Sequence, residues 1–151
     1  MSMEIRNLTE GDLPVFIRMR MDQLREEGAK ATVDLEPPLW DYYRRRLADG
    51  GFAGFVAVDG TSIVGTAGLS IVEKPPTYGN PSGKVGILSS MYTCPAYRRR
   101  GIARRLLGRA VEEARRQGCG AVQITASDMG VLLYTAFGFQ KNGNFMTYPL
   151  Q

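Results

Sequence analysis

One glycine turn, crowded with arginine and followed at once by an amphipathic helix, constrains the fold of this chain more than any other feature. Residues 97–107 read YRRRGIARRLL. From Ile102 onward, apolar residues recur every three or four positions, which is typical of a helix that buries one face. The N–H groups in a helix's first turn have no partner within the helix, and together with the helix dipole they favour an anion. We therefore predict that this turn holds a pyrophosphate, with Gly101 allowing close approach of the backbone.

The turn and its helix lie between two predicted strands, at residues 85–93 and 121–126. Gly118 is a natural end for the helix, because glycine readily adopts the left-handed conformation that follows a last helical turn. A strand, a crossover helix and a second parallel strand almost always form a right-handed unit. The segment 85–126 therefore predicts one such unit, in which the arginine turn connects the first strand to the helix.

The rest of the chain alternates between strand and helix patterns. Residues 52–58 and 62–71 indicate two antiparallel strands joined at Asp59-Gly60, a dipeptide typical of tight hairpins. The other predicted elements are a strand at 3–8, a helix from Leu13 to Gly28, a loop at 29–38, a short helix at 39–47, a loop at 73–83, a helix at 130–137 and a last antiparallel strand at 144–149. This order predicts a mixed α/β fold in a single domain over residues 1–151.

Composition argues against several kinds of chemistry. The chain has no histidine, and its two cysteines, Cys94 and Cys119, lack the spacing of metal ligands. A zinc site, a disulfide scaffold and serine–histidine catalysis are therefore disfavoured. The net charge of +4 suits an anionic ligand or a nucleic acid. No apolar run approaches the ~20 residues that span a bilayer, so we expect a cytoplasmic protein with no membrane partner and no metal.

Three short motifs, in order along the chain, point to one family. The first is the strand end and proline turn at 91–97, and the second is the six residues RRRGIA from Arg98 to Ala103. The third is LYTAFGF at 133–139. Together they resemble the GNAT superfamily of acyl-CoA-dependent N-acyltransferases. The resemblance covers residues 85–139 and disfavours a nucleic-acid-binding protein, which would leave the third motif unexplained.

The resemblance implies a fold and a binding site. The fold would be a central twisted sheet of six to seven strands with about four helices, in which the fourth and fifth strands splay apart. The fourth strand should bulge, and acetyl-CoA should enter the gap, with its pantetheine arm along the strand backbone and its diphosphate at the arginine turn. The cofactor-binding residues implied in this way are Met91, Tyr92, Thr93, Arg98, Arg99, Arg100, Gly101, Ile102, Ala103, Arg104, Ser127 and Tyr134.

The resemblance also implies a catalytic role for Tyr134, whose hydroxyl would protonate the departing thiolate while the Met91 amide polarises the thioester carbonyl. A general base is harder to identify. Many relatives carry a glutamate on the fourth or fifth strand, but those positions read Ser89-Ser90 and Val122-Gln123 here. The candidates elsewhere are Asp34, Glu36, Glu73 and water. Cys94 lacks a histidine partner, so direct attack by the amine is preferred to an acyl-enzyme.

The expected activity is therefore transfer of an acetyl group from acetyl-CoA to a primary amine of a small molecule or a protein, in a ternary complex. The missing strand carboxylate leaves one alternative, a non-catalytic acyl-CoA sensor or interaction module. A homodimer is a habit of the family that the residues themselves do not specify.

Overall fold

Nine main elements follow one another in the computed structural model, which describes residues 3–151. They are β1 (Met3–Asn7), α1 (Leu13–Glu26), α2 (Glu36–Asp49), β2 (Phe52–Asp59), β3 (Ser62–Glu73), β4 (Lys84–Thr93), α3 (Ile102–Arg116), β5 (Ala121–Gln123) and α4 (Val131–Phe137). Short 3-10 turns at Glu10–Asp12 and Pro95–Tyr97 precede α1 and α3. The predicted mixed α/β fold with about four helices is confirmed.

The strands form one sheet in the order β1-β2-β3-β4-β5. The pairs from β1 to β4 are antiparallel, and β5 runs parallel to β4 after the α3 crossover. The hairpin predicted at Asp59-Gly60 joins β2 to β3, with Gly60 at φ 64°. Parallel pairing across a helix is what the strand–turn–helix–strand pattern predicted.

Both predicted irregularities of the fourth strand are present. In the ladder between β3 and β4, Thr66 pairs with Tyr92 but Gly68 pairs with Ser89, so two residues of β4 lie opposite Ala67 alone. One of these two residues, Ser90, has φ 55°, a value rare for any residue but glycine. Only residues 85–87 of β4 pair with β5. The remaining half of β4 therefore separates from β5, and the family's splay is confirmed.

Helices cover both faces of the sheet. Successive residues of β2 point to opposite faces, so Phe55 and Ala57 join the core beneath α3 while Val56 and Val58 join the core beneath α1 and α2. The α3 stripe places Leu106, Leu107 and Ala110 fully inside the first core. Aromatic residues of α1, α2 and β2 fill the second core, in edge-to-face and tilted pairs whose ring centres are 5.0–6.1 Å apart. Each fully buried large side chain contributes about 1.5–3 kcal/mol to stability.

Several predicted boundaries were wrong. Among residues 3–151 the sheet has five strands, not six to seven, because residues 144–149 have no neighbouring strand to pair with. The strand predicted at 121–126 ends at Gln123, since residues 124–126 diverge from β4. The helix predicted at 39–47 begins at Glu36, because Pro37 and Pro38 fit a first turn in which N–H groups are unpaired. β3 continues to Glu73, which was assigned to the following loop.

Candidate active site

A cleft of about 920 Å³ opens where β4 and β5 part. The last two turns of α1 form one wall, the outer half of β4 forms the floor, and residues 124–130 with the start of α4 form the other wall. Of the predicted site residues, seven line it. They are Met91, Tyr92, Thr93, Arg98, Ala103, Ser127 and Tyr134.

The β4 backbone along the cleft has two peptide groups that face away from β3. The Cys94 N–H bonds to the Val64 carbonyl of β3 at 2.8 Å, and peptide groups alternate in direction along a strand, so those of Met91 and Thr93 point toward the cleft. The Met91 carbonyl accepts a hydrogen bond from Gln23 Nε2 at 3.3 Å, and the Thr93 carbonyl accepts one from Arg98 Nε at 2.8 Å. Side chains of α1 and of the arginine turn thus already contact this strand edge.

Arg98 links the arginine turn to α1 and β4 at one end of the cleft. Its guanidinium donates to Glu26 Oε1 at 2.8 Å and lies over the Tyr92 ring at 5.4 Å. The Tyr92 hydroxyl donates to the other oxygen of Glu26 at 2.5 Å. Burial, together with the Glu26 carboxylate, raises the pKa of Tyr92 to about 12, while the bonds from Tyr92 and Arg98 hold the pKa of Glu26 below its usual range. Glu26 is therefore a fixed anion and a poor proton acceptor.

Two residues of the arginine turn have left-handed backbone conformations. Arg99 has φ 65° and Gly101 has φ 78°, a backbone angle that favours glycine at position 101. Arg105 is the first α3 residue whose N–H bonds back to a turn carbonyl, that of Gly101, at 3.1 Å. The preceding amides, at residues 102–104, lie in the part of a helix where N–H groups have no helical partner. This is the geometry that the sequence predicted for an anion site.

The side chains of the turn point in several directions. Ile102 is buried in the core under α3. Arg100 lies over the Tyr97 ring at 5.0 Å, and Arg104 lies over the Phe137 ring of α4 at 5.5 Å. Arg99, Arg100, Gly101, Ile102 and Arg104 are not part of the cleft lining, although Arg98 and Ala103 are.

Tyr134 lines the cleft, and its ring is tightly packed while its hydroxyl is accessible. The ring is 7% exposed, packs edge-on against Phe139 at 5.6 Å and lies so near Gly130 that a Cβ there would approach Cε2 to 2.7 Å. No group of residues 3–151 hydrogen-bonds to the hydroxyl, yet no fully buried side-chain polar atom in that range lacks a partner. The hydroxyl must therefore face the cleft. Burial, with a smaller contribution from the charge of Glu27, raises the pKa of Tyr134 to about 12.

Ser127 has a structural contact as well as a place on the cleft. Its Oγ accepts a hydrogen bond from the Gly130 N–H at 3.2 Å, and its carbonyl accepts the Val131 N–H at 3.1 Å. These bonds fix the turn that leads into α4. Ser127 therefore positions the helix that carries Tyr134, whatever it contacts in a ligand.

The acids proposed from the sequence as general bases lie elsewhere. Asp34 Oδ1 accepts the N–H of Glu36 at 3.1 Å near the start of α2, and Glu73 pairs with Lys84 in the β3–β4 ladder. None of the three lines the cleft. The carboxylates that do are Glu26, Glu27 and Asp128, none of which was predicted from the sequence as a site residue. The sequence signal for Glu26 and Glu27 was their position as adjacent glutamates before Gly28. Whether their side chains face the cleft depends on how the last turn of α1 packs, which the sequence does not show.

Glu27 is linked to the bulged strand through a single side chain, that of Gln23. Gln23 Nε2 donates both to Glu27 Oε2, at 3.3 Å, and to the Met91 carbonyl, at 3.3 Å. Arg20 Nη1 donates to Gln23 Oε1 at 3.0 Å and so fixes the amide orientation. Gln23 therefore holds a carboxylate and a β4 peptide group on the same side of the cleft.

Other chemistries find little support around the cleft. Burial raises the pKa of the Cys94 thiol, so it is a poor nucleophile at neutral pH. Within residues 3–151, cysteine and acidic side chains form no group of three that could bind a metal ion. Over the same residues, no helix combines the length and the apolar character needed to span a bilayer.

Comparison with known proteins gives consistent matches. The sequence model described as "Acetyltransferase (GNAT) family" matches residues 16–139. The crystal structure of a predicted acetyltransferase with acetyl-CoA from Clostridium acetobutylicum is 30% identical, with a TM-score of 0.95 over 99% of this chain and 97% of that one. A GCN5-related N-acetyltransferase from Ralstonia eutropha is 32% identical, with a TM-score of 0.91 over 99% of both chains.

Curated relatives are also similar. N-acetyltransferase 8B of Rattus norvegicus is 33% identical over 115 residues, which cover 74% of this chain and 50% of the rat protein. The chain thus spans about half the length of the curated relatives that it matches.

Proposed function

The chain belongs to the acetyltransferase (GNAT) family, and from that premise we propose that residues 1–151 form one domain that transfers an acetyl group from acetyl-CoA to a primary amine. The observation that carries the proposal is the Tyr134 hydroxyl, which is unpaired and faces a cleft between two splayed strands. A tyrosine that only filled space in the core would have its hydroxyl hydrogen-bonded.

Acetyl-CoA would be held at two places, the arginine turn and the floor of the cleft. At one end, the amides of residues 102–104 would hold the diphosphate, helped by the α3 dipole and the surrounding arginines. Along the floor, the peptide groups of Met91 and Thr93 would pair with the amides of the pantetheine arm, as an added strand would. A volume of about 920 Å³ lies in the range of small-molecule sites and leaves space beyond the thioester for an acceptor.

Three groups of this chain would perform the transfer in a ternary complex. The Met91 amide would donate to the thioester carbonyl oxygen as negative charge develops there during attack by the amine. Glu27 would take the proton that the attacking nitrogen must lose, directly or through one water. Tyr134 would give its proton to the departing sulfur as the carbon–sulfur bond breaks, and regain one from solvent afterwards. The products are the acetylated amine and CoA with a free thiol.

Glu27 is the best placed of the cleft acids for this task. Glu26 is occupied by Arg98 and Tyr92, which stabilise its ionised form. Asp128 lies on the opposite wall, in the turn before α4. Glu27 shares Gln23 with the Met91 carbonyl, which puts it on the side of β4 where the acceptor would approach. All three acids would also attract a cationic amine to the cleft by charge.

The test is release of CoA thiol from acetyl-CoA, measured with a thiol reagent against a panel of polyamines, aminoglycosides, amino acids and peptides with free amino groups. The proposal predicts thiol release that depends on at least one amine and yields that amine in acetylated form. CoA binding without turnover on any amine would instead support an acyl-CoA sensor. Absence of both binding and turnover would overturn the assignment.

A further inference from the structure

The cleft is lined by two basic side chains of residues 3–151, Arg20 and Arg98, whose charges are balanced differently. Arg98 forms an ion pair with Glu26 at 2.8 Å. Arg20, which is partly buried, forms no ion pair with any carboxylate of residues 3–151. Removing a charge from water without a partner is costly, so a partly buried cation that lines a cleft indicates a site for an anionic group.

Most of the hydrogen-bond donors of Arg20 are free to bind such a group. Its Nη1 donates to Gln23 Oε1 at 3.0 Å, and within residues 3–151 the guanidinium makes no other hydrogen bond. No fully buried side-chain polar atom in that range lacks a partner, so the remaining donors are open to the cleft that Arg20 lines. Two parallel N–H groups of a guanidinium match the two oxygens of a carboxylate.

The contacts of α1 with β4 show where along the cleft Arg20 lies. Glu26 accepts a hydrogen bond from Tyr92, near the arginine turn. One turn earlier in the helix, Gln23 donates to the Met91 carbonyl. Moving back along α1 thus also moves back along β4, away from the place assigned to the diphosphate. Arg20 comes one further turn back, next to Gln23.

Tyr43 of α2 indicates how far back Arg20 reaches. The Tyr43 hydroxyl lies 3.1 Å from Oγ of Ser90, a residue of the β4 bulge. Burial raises the pKa of Tyr43, while that hydrogen bond and the nearby charge of Arg20 oppose the rise. Arg20 is therefore close to the bulge, on the far side of Met91 from the arginine turn. In the proposed complex the thioester lies at Met91, so Arg20 faces the space left for the acceptor.

A single amide group separates the charge of Arg20 from that of Glu27. Gln23 Oε1 accepts from Arg20 at 3.0 Å, and Gln23 Nε2 donates to Glu27 Oε2 at 3.3 Å. The two charged residues lie seven positions apart, roughly 10 Å along the helix axis, and their side chains converge on the same amide. This spacing suits a molecule whose amine and carboxylate are one or two carbon atoms apart, with a hydrogen bond of about 2.8 Å at each end.

We propose that the acceptor is a free amino acid, whose carboxylate binds the Arg20 guanidinium while its amino group lies at Glu27. This inference rests on the acetyl transfer proposed above and adds the class of acceptor. The amine nitrogen bonds to the acetyl carbon as the carbon–sulfur bond breaks, and its proton passes to Glu27, so the products are an N-acetyl amino acid and CoA thiol. Polyamines and aminoglycosides carry further positive charges, which Arg20 repels, and the amino terminus of a peptide lacks the adjacent carboxylate.

Thiol release from acetyl-CoA with matched pairs of acceptors gives the first test. Each pair is a free L-amino acid and its C-terminal amide, taken across the different side chains. For the pair that reacts best, we expect kcat/KM to be at least about 10-fold higher for the acid, although the amine of the amide loses its proton more easily. Thiol release without a preference for the acids would overturn this inference alone, whereas no release with any amine would overturn the acetyl transfer as well.

Substitution of Arg20 gives the second test. Arg20→Gln should reduce the acid-to-amide ratio of kcat/KM about 10- to 100-fold, mainly through KM for the amino acid, and Arg20→Lys should restore part of it because the charge is kept. Arg25→Gln is the matched control, since Arg25 is exposed on the same helix, pairs with Asp22 and lies outside the cleft lining, and it should keep the wild-type ratio. Circular dichroism checks that each variant is folded.

The ratio also separates recognition of the acceptor from a purely structural role. If Arg20 only oriented Gln23, its loss would slow the acid and the amide equally. An unchanged ratio in Arg20→Gln would therefore overturn the inference and leave the acetyl transfer intact.

Discussion

Tyr134 contributes a proton in this account, and its removal has a specific kinetic signature. We expect Tyr134→Phe to lower kcat by about 100-fold, a usual size for a lost general acid, while KM for acetyl-CoA changes little. Because the pKa of Tyr134 is raised to about 12, the wild type should keep this function across the whole range from pH 6 to pH 10. Steady-state kinetics of both proteins, with Tyr78→Phe as the control, measure this. Equal kcat values would remove Tyr134 from the mechanism.

Loss of the Glu27 carboxylate should change the pH dependence of the rate, because its proposed role is to deprotonate the amine. Glu27→Gln should be slowed by about 100-fold at pH 7, but the deficit should shrink as the pH approaches ~10, where an alkyl amine loses its proton unaided. The pH profile of kcat/KM for the amine measures this. Glu112→Gln, at an exposed glutamate of α3, is the control. A deficit that is the same at every pH would mean that Glu27 only binds or positions the acceptor.

Asp12 affects stability rather than chemistry. It forms two hydrogen bonds to Arg6, at 2.7 and 2.9 Å, and accepts the Thr9 N–H at 2.8 Å, which lowers its pKa from 3.8 to about 2. A carboxyl whose pKa is depressed by folding stabilises the protein above the unfolded pKa and loses that effect as the pH falls toward the folded one.

We therefore expect Asp12→Asn to lower the free energy of unfolding by about 1–2 kcal/mol at pH 7, after allowance for the partial exposure of Arg6. The difference should shrink as the pH falls from about 4 through 2, because folded Asp12 becomes half protonated only at its own pKa of about 2. Urea denaturation between pH 7 and pH 2 measures it. Asp41→Asn, which breaks an exposed pair with Arg45, should have almost no effect at any pH. A gap between wild type and Asp12→Asn that is as large at pH 2 as at pH 7 would refute the electrostatic explanation.

Among the elements, the start of α4 positions the Tyr134 ring, because Gly130 packs closely against it. Gly130 has an ordinary φ of –86°, so alanine fits its backbone, but the added Cβ would lie 2.7 Å from the ring. We expect Gly130→Ala to lower kcat several-fold by shifting the ring, with little change in stability. Gly108→Ala, in the middle of α3 with open space around it, should keep full activity and gain about 0.5–1 kcal/mol. Thermal unfolding and thiol-release kinetics separate the two effects, and an unchanged kcat in Gly130→Ala would contradict this role.

Elements were predictable from sequence where their signal is local. The α3 stripe, the Asp59-Gly60 hairpin and the motif that carries Tyr134 all depend on residues close together in the chain. The strand predicted at residues 144–149 was wrong, because a strand exists only beside a neighbour, and among residues 3–151 these residues have none. Glu27 was missed for the same kind of reason, since the orientation of the last turn of α1 is set by its packing against β4.

At the scale of the whole molecule, the cleft depends on parts that are far apart in sequence. Its walls come from α1 and from the start of α4, and its floor comes from β4, so a ligand bound there contacts both halves of the chain. A ligand that binds only the folded state stabilises it by about 2.7 kcal/mol at 100 times its Kd. CoA should therefore raise the melting temperature.

In the proposed complex the splayed strands hold acetyl-CoA with its thioester at Tyr134. The decisive measurement is a crystal structure with CoA bound. We expect diphosphate oxygens within hydrogen-bonding distance of the amides of residues 102–104, a pantetheine arm along Met91 and Thr93, and the sulfur beside the Tyr134 hydroxyl. CoA bound at another surface, or a cleft that stays empty at saturating CoA, would overturn this binding mode.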